Sequence, residues 1–162
     1  MRIVIADTSP VRYLTEIDLL DLLPRLFETV FIPSVVYEEL LHASAPETVR
    51  TRLQVPPLWL KVTPPVPTTD PALLGLDEGE KAAIALGLSL QADLLLIDER
   101  MGVAVAQRKG LEITGTLGVL VMAAERGFAD LVDAFARLRR TNFHCSETLL
   151  QKLLAEHTKG QA

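Results

Sequence analysis

Short aliphatic runs alternate with helix-forming stretches along the chain, and this alternation limits the available folds more than any other feature. The clearest runs are residues 2–6 (Arg-Ile-Val-Ile-Ala) and 93–97 (Asp-Leu-Leu-Leu-Ile). Both are short and aliphatic, as expected of strands that are buried on both faces of a sheet. We predict strands at residues 2–6, 29–32, 58–63, 93–97 and 111–113, with 58–63 at an edge of the sheet.

Helical patterns separate these strands. The first follows Asp7 and has Pro10 near its first turn, and the second, residues 19–27, is interrupted by Pro24. Further helices are predicted at residues 34–42, 46–54, 77–91, 100–109, 117–126, 131–140 and 146–156. Because parallel strands are joined by crossover helices, the pattern predicts an α/β fold. Its central sheet is mainly parallel, has four to five strands and carries helices on both faces.

The composition is that of one globular domain. A chain of 162 residues with 49% hydrophobic residues can build a core without disulfides, so we expect a single domain over residues 1–162. Cys145 is the sole cysteine, which favours a reducing, cytoplasmic location. The amino-terminal residues do not resemble a signal peptide, and no apolar run reaches the roughly 20 residues of a membrane-spanning helix.

Two aspartates come at the ends of buried strands. Asp7 directly follows the strand at residues 2–6, and Asp98 directly follows the strand at 93–97. Taken alone, each could simply cap the next helix, since aspartate is a preferred capping residue. Because parallel strands end at the same edge of a sheet, both carboxylates are expected at one rim, where α/β proteins bind their ligands.

Two glutamates lie on apolar helix faces. At about 100° per residue, Glu39 falls between Val35 and Val36. Glu80 shares its face with Ala83 and Ile84, although its position in the first helical turn is also one that a helix dipole favours for an acid. A carboxylate that faces the core is costly unless it is paired or binds a metal ion. We therefore add both glutamates to the predicted site.

Four carboxylates at one rim indicate a metal site. Without a cation they would repel one another and take up protons, whereas Mg²⁺ or Mn²⁺ prefers such oxygen ligands. We expect the four carboxylates to meet within metal-bridging distance. One or two such ions suit attack of water on a phosphodiester. The net charge of −5 counts mildly against a nucleic-acid binder, but not against a nuclease whose acids are neutralised by metal.

The sequence resembles the PIN-domain nucleases, in their single-domain prokaryotic branch. The resemblance extends over nearly the whole chain. Four motifs carry it, at residues 6–10 (Ala-Asp-Thr-Ser-Pro), 32–40 (Ile-Pro-Ser-Val-Val-Tyr-Glu-Glu-Leu), 77–86 (Asp-Glu-Gly-Glu-Lys-Ala-Ala-Ile-Ala-Leu) and 94–100 (Leu-Leu-Leu-Ile-Asp-Glu-Arg). Residues 113–118 (Ile-Thr-Gly-Thr-Leu-Gly) fit one subgroup of the family.

The resemblance implies a three-layer α/β/α fold and Mg²⁺- or Mn²⁺-dependent cleavage of RNA. It places the family's acidic positions at Asp7, Glu39, Glu80 and Asp98. Well-known members are VapC-like toxin ribonucleases, which are usually homodimers held silent by a small antitoxin protein. By resemblance, this chain is then a ribonuclease of a toxin–antitoxin pair, with RNA as its substrate and an antitoxin and a second copy as partners.

Four further residues are candidates for accessory roles. The hydroxyls of Thr8, Ser9 and Thr116 could contact a metal-bound water or a phosphate, although helix capping is the commoner role of such residues. Arg100 could clamp a phosphate or pair with Asp98. A catalytically silent module that binds RNA or a partner protein stays open as the alternative function. A dinucleotide-binding domain is disfavoured because no Gly-x-Gly-x-x-Gly motif follows the first strand.

Overall fold

Five parallel strands form the centre of the fold. The computed structural model describes residues 2–160, and its strands are β1 (Val4–Ala6), β2 (Val30–Pro33), β3 (Leu60–Thr63), β4 (Leu94–Leu96) and β5 (Ile113–Thr114). They lie in the order β3-β2-β1-β4-β5, and each neighbouring pair is parallel. The predicted parallel sheet is thus confirmed with five strands, and residues 58–63 contribute an edge strand as expected.

Helices connect the strands and cover the sheet. Within the described residues they are α1 (Thr8–Glu16), α2 (Leu22–Phe27), α3 (Ser34–Leu41), α4 (Glu47–Leu53), α5 (Glu78–Leu90), α6 (Arg100–Arg108), α7 (Thr116–Glu125), α8 (Leu131–Arg139) and α9 (Glu147–Gly160). None of the helices in residues 2–160 is both long enough and apolar enough to cross a membrane.

The sheet separates two hydrophobic clusters. Alternate strand residues such as Val4 and Leu96 pack on one face with the buried side chains of α1–α4 and α7–α9. The intervening residues, Ile5 and Leu95, pack on the other face with α5 and α6. This alternation follows from the twofold period of a strand, which sends successive side chains to opposite faces. The result is the three-layer α/β/α arrangement.

Residues 19–27 differ from the expectation. Pro24 does not interrupt a helix there, because α2 begins at Leu22 and Pro24 occupies its third position. A proline in the first turn removes no helical hydrogen bond, since the amides of that turn have no partner within the helix. The residues before α2 instead form turns, in which Asp18 has a φ of 59°. The prediction of one interrupted helix over residues 19–27 was wrong for this reason.

The register of the two central strands sets the position of the acids. Ala6 of β1 lies opposite Leu96 of β4, and the Asp7 amide donates a hydrogen bond of 2.9 Å to the carbonyl oxygen of Leu96. Both strands therefore end at the same edge of the sheet. The chain beyond each strand, which carries Asp7 and Asp98, leaves the sheet at this edge.

Candidate active site

A cavity of about 800 Å³ opens at the carboxyl edge of the central strands. All four acids singled out from the sequence line it. Two further acids line it as well, Asp77 and Glu99, so that six carboxylates in all belong to its wall: Asp7, Glu39, Asp77, Glu80, Asp98 and Glu99. The sheet edge supplies the aspartates that follow β1 and β4, while α3 and α5 supply Glu39 and Glu80. The structure thus brings the predicted residues to one place.

Asp98 is held by three donors. Its Oδ1 accepts a 2.7 Å hydrogen bond from the backbone amide of Thr116, and its Oδ2 accepts bonds of 2.6 Å from the Thr116 hydroxyl and 2.7 Å from the Ser9 hydroxyl. The carboxylate thereby caps the first turn of α7, where a helix favours negative charge. Gly115 permits this approach, because a Cβ there would lie 2.5 Å from Asp98 Oδ1.

Glu39 is held by α1 and lies close to α5. The hydroxyl of Thr8 donates a 2.7 Å hydrogen bond to Glu39 Oε2. Gly79 leaves room for the carboxylate, because a Cβ at that position would lie 2.7 Å from Glu39 Oε1. The first turn of α1 therefore supplies the hydroxyls that orient both Glu39 and Asp98.

Replacing Thr116 by valine should destabilise the fold by about 1–2 kcal/mol, because the variant keeps the shape of the side chain and loses a buried hydrogen bond to a charged group. Thr116 is fully buried, so water cannot replace the lost donor. The measurement is urea unfolding of the metal-free protein. The matched control is Thr116→Ser, which keeps the hydroxyl and should lose less stability. If the valine variant and the wild type are equally stable, the hydrogen bond from the Thr116 hydroxyl to Asp98 does not stabilise the fold.

Burial and like charge act together on Asp7 and Glu80, whose exposed fractions are 5% and 7%. Burial raises the pKa of Asp7 from 3.8 to about 7, with a further contribution from the neighbouring Asp77, Glu39 and Asp98 carboxylates. Burial also raises the pKa of Glu80 from 4.5 to about 8, reinforced by a hydrogen bond with the Asp77 side chain and by its charge. Both carboxyl groups are costly to ionise without a cation.

The charge of this wall has no protein partner. In the part of the chain that the structure describes, no ion pair joins a lysine, arginine or histidine to any of the six carboxylates. Carboxylate oxygens are the ligands that Mg²⁺ and Mn²⁺ prefer. In its chemistry the donor set therefore fits a hard divalent cation.

The expected meeting of four carboxylates around an ion is not observed. Within residues 2–160, no group of three or more acidic, histidine or cysteine side chains is placed to hold a metal ion directly. The reason is that hydroxyl and amide donors hold Glu39 and Asp98 individually. Mg²⁺ commonly keeps several waters and binds one or two carboxylates, so a largely hydrated ion remains compatible with this wall.

The accessory candidates have roles that differ from those favoured on sequence grounds. Thr8, Ser9 and Thr116 do not cap helices with their hydroxyls, because each hydroxyl donates to a carboxylate of the wall. Arg100, the first residue of α6, is exposed and lines the cavity. Among the described residues it forms no ion pair with Asp98, so its guanidinium is available at the mouth of the site.

Asp77 was not nominated from the sequence. It is the N-cap of α5, and its Oδ1 accepts a 2.8 Å hydrogen bond from the Glu80 amide. The sequence signal was available, since an aspartate three residues before a glutamate resembles a capping box. A second omission is the wall at residues 143–146, which follows α8 and lines the same cavity. No local pattern reveals that wall, because it depends on the docking of α8 and α9.

Comparison with known families agrees with the fold. A family model described as PIN domain matches residues 3–159, which is nearly the whole chain. A search among curated proteins finds no significant match. The family match and the five-stranded parallel sheet with helices on both faces point to the same fold, which is of the nuclease type. The chain therefore belongs to the PIN domain family.

Proposed function

We propose that the protein is a metal-dependent ribonuclease that hydrolyses RNA phosphodiester bonds with Mg²⁺ or Mn²⁺. The observation that carries the proposal is the wall of six carboxylates without cationic partners in one cavity, two of them buried. Such a wall attracts a divalent cation, and a cation bound there can in turn attract a phosphodiester. Without a cation, the same wall would repel RNA.

Asp7, Glu39, Glu80 and Asp98 would hold the metal, with Asp77 as an additional acid. A bound ion would stabilise negative charge on the phosphate oxygens and activate a water molecule. The chain's own contribution is positioning. Ser9 and Thr116 orient Asp98, and Thr8 orients Glu39. Arg100 lies at the cavity mouth, where a guanidinium can bind phosphate oxygens in a bidentate manner.

The biological setting is proposed from the resemblance. We propose a cytoplasmic toxin of a toxin–antitoxin pair, acting as a homodimer and as one domain over residues 1–162. An antitoxin protein would keep it silent. Induced expression of the wild type should then arrest growth, whereas expression of Asp98→Asn should not. Growth that is unaffected by an active, soluble nuclease would remove the toxin role and leave the enzymatic proposal intact.

The direct test is cleavage of a labelled RNA pool by the purified protein. We expect cleavage in Mg²⁺ or Mn²⁺ and none in EDTA, with activity restored when metal is added back. Intact RNA in all conditions, with a folded protein and varied RNAs, would contradict the proposal. That outcome would favour a catalytically silent module that binds RNA or a partner protein.

A further inference from the structure

The cavity extends well beyond the acids. Its volume of about 800 Å³ lies in the range of pockets that hold whole small molecules, and it far exceeds the roughly 30 Å³ share of one water molecule. The wall away from the acids contains Tyr13 of α1 and residues 143–146, between α8 and α9. We propose that this part of the cavity binds one unpaired nucleobase of the RNA, next to the phosphate at the acids. The inference rests on the proposed function.

The helix α1 connects the two parts of the cavity. Ser9, which donates to Asp98, and Tyr13 are four residues apart and therefore lie on the same helix face, about 6 Å apart along the axis. This spacing is on the scale of the separation between a phosphate and the base of the same nucleotide. A nucleotide with its phosphate at the acids can therefore reach Tyr13 with its base.

Two aromatic rings form the far wall. The rings of Tyr13 and Phe143 meet edge to face, with centroids 5.0 Å apart and an angle of 78° between their planes. Both side chains are half-buried and both line the cavity. The Arg12 guanidinium covers one face of the Tyr13 ring, 4.9 Å from its centroid, so we assign the stacking face to Phe143. Stacking on aromatic side chains is how proteins bind unpaired bases. A base in a duplex is already stacked and cannot enter such a wall.

Hydrogen bonds hold this wall in place. The Tyr13 hydroxyl donates a hydrogen bond of 2.8 Å to Asn142 Oδ1, and Arg12 Nη2 donates one of 3.3 Å to the same oxygen. The Phe143 amide donates a hydrogen bond of 3.2 Å to the hydroxyl of Thr141. Phe143 is therefore fixed against α1 before any ligand binds, which lowers the entropy cost of binding. The exposed His144 and Ser146 also line the cavity and offer polar groups to the edge of a base.

The test measures RNA binding and not cleavage. The parent is the wild type in Ca²⁺, which prefers the same oxygen ligands as Mg²⁺ and so still neutralises the acids. The probes are short fluorescent single-stranded RNAs, each with one abasic position or none, and gel electrophoresis checks that they stay intact. We expect one abasic position to weaken binding about fivefold or more, the lower range for a stacked base. Phe143→Leu, which keeps an apolar side chain and removes the ring, should weaken binding of the intact RNA by a similar factor. Phe143→Trp should restore it.

The decisive result is the combination of the two changes. In the Phe143→Leu variant, the abasic position should weaken RNA binding little further, because the contact between the base and the ring is already lost. Independent, fully additive losses would overturn the subsite, as would a leucine variant that binds intact RNA like its parent. Coupled losses without cleavage by the wild type would keep the subsite and overturn the ribonuclease. Cleavage by the wild type without coupled losses would keep the ribonuclease and overturn the subsite. The absence of RNA binding by the parent would also overturn the subsite.

Discussion

Asp98→Asn should lower metal-dependent RNA cleavage about 100-fold or more while the protein stays folded, since losing even a residue that supports a metal ligand costs roughly 10–100-fold. The amide oxygen of asparagine can still accept the hydrogen bond that the Thr116 amide donates to Asp98, so the start of α7 keeps its cap. What the substitution removes is one negative charge from the wall that would hold the cation. Initial rates with a labelled RNA in Mg²⁺, over a range of metal concentrations, measure the effect.

Two comparisons make this result specific. Asp130→Asn is the matched control, because Asp130 also caps a helix, α8, and does not line the cavity. It should cleave RNA like the wild type. Asp7→Asn should lose activity as Asp98→Asn does. If Asp98→Asn and Asp130→Asn cleave equally well, the acids at the sheet edge are not the catalytic site, and the proposed metal ligands are wrong.

Asp7→Asn should stabilise the metal-free protein more at pH 8 than at pH 5, by about 2–3 kcal/mol in the difference. The pKa of Asp7 is raised in the folded state, from 3.8 to about 7. Its contribution to stability is therefore complete below pH 3.8 and is lost as the pH rises through 7, because the folded protein must then hold a buried charge. Asparagine carries no charge and escapes this loss.

Urea unfolding in EDTA from pH 5 to pH 9 measures the difference. Glu80, with its pKa raised to about 8, should make the wild type lose further stability over the same interval. Adding Mg²⁺ should recover stability in the wild type at pH 8, because a bound cation neutralises the wall. A difference between Asp7→Asn and the wild type that does not change with pH would contradict the buried charge at Asp7. Asp130→Asn serves again as the control.

The main parts of the fold follow from local patterns. The aliphatic runs that became β1 and β4 could be read as strands because a strand that is buried on both faces has little room for polar residues. The position of Asp7 and Asp98 at one edge followed from parallel pairing alone. The interrupted helix at residues 19–27 could not be resolved in the same way, because a proline is tolerated or disruptive according to which turn it occupies, and the start of α2 depends on packing.

The candidate site likewise has some residues that local sequence predicts and some contacts that only packing creates. Glu39 and Glu80 stood out because carboxylates on apolar helix faces conflict with the hydrophobic pattern, and such conflicts are local. The donors to Asp98 were not predictable as donors, since Ser9 and Thr116 are 89 and 18 residues away from it. From its sequence neighbours alone, each of these residues was better expected to cap a helix. Their role as donors to Asp98 arises only because α1, β4 and α7 pack together in the folded protein.

The parallel sheet and the acids at the sheet edge followed from the sequence alone, because strand period, helix period and strand ends are properties of neighbouring residues. The family followed from the resemblance of four short motifs. The tertiary structure alone decided how the acids are held, that Asp77 joins them and that Phe143 faces Tyr13. Those relations depend on side chains that are far apart in the chain. Hydrogen-bond distances and the raised pKa values of Asp7 and Glu80 exist only once packing has brought such side chains together and excluded water.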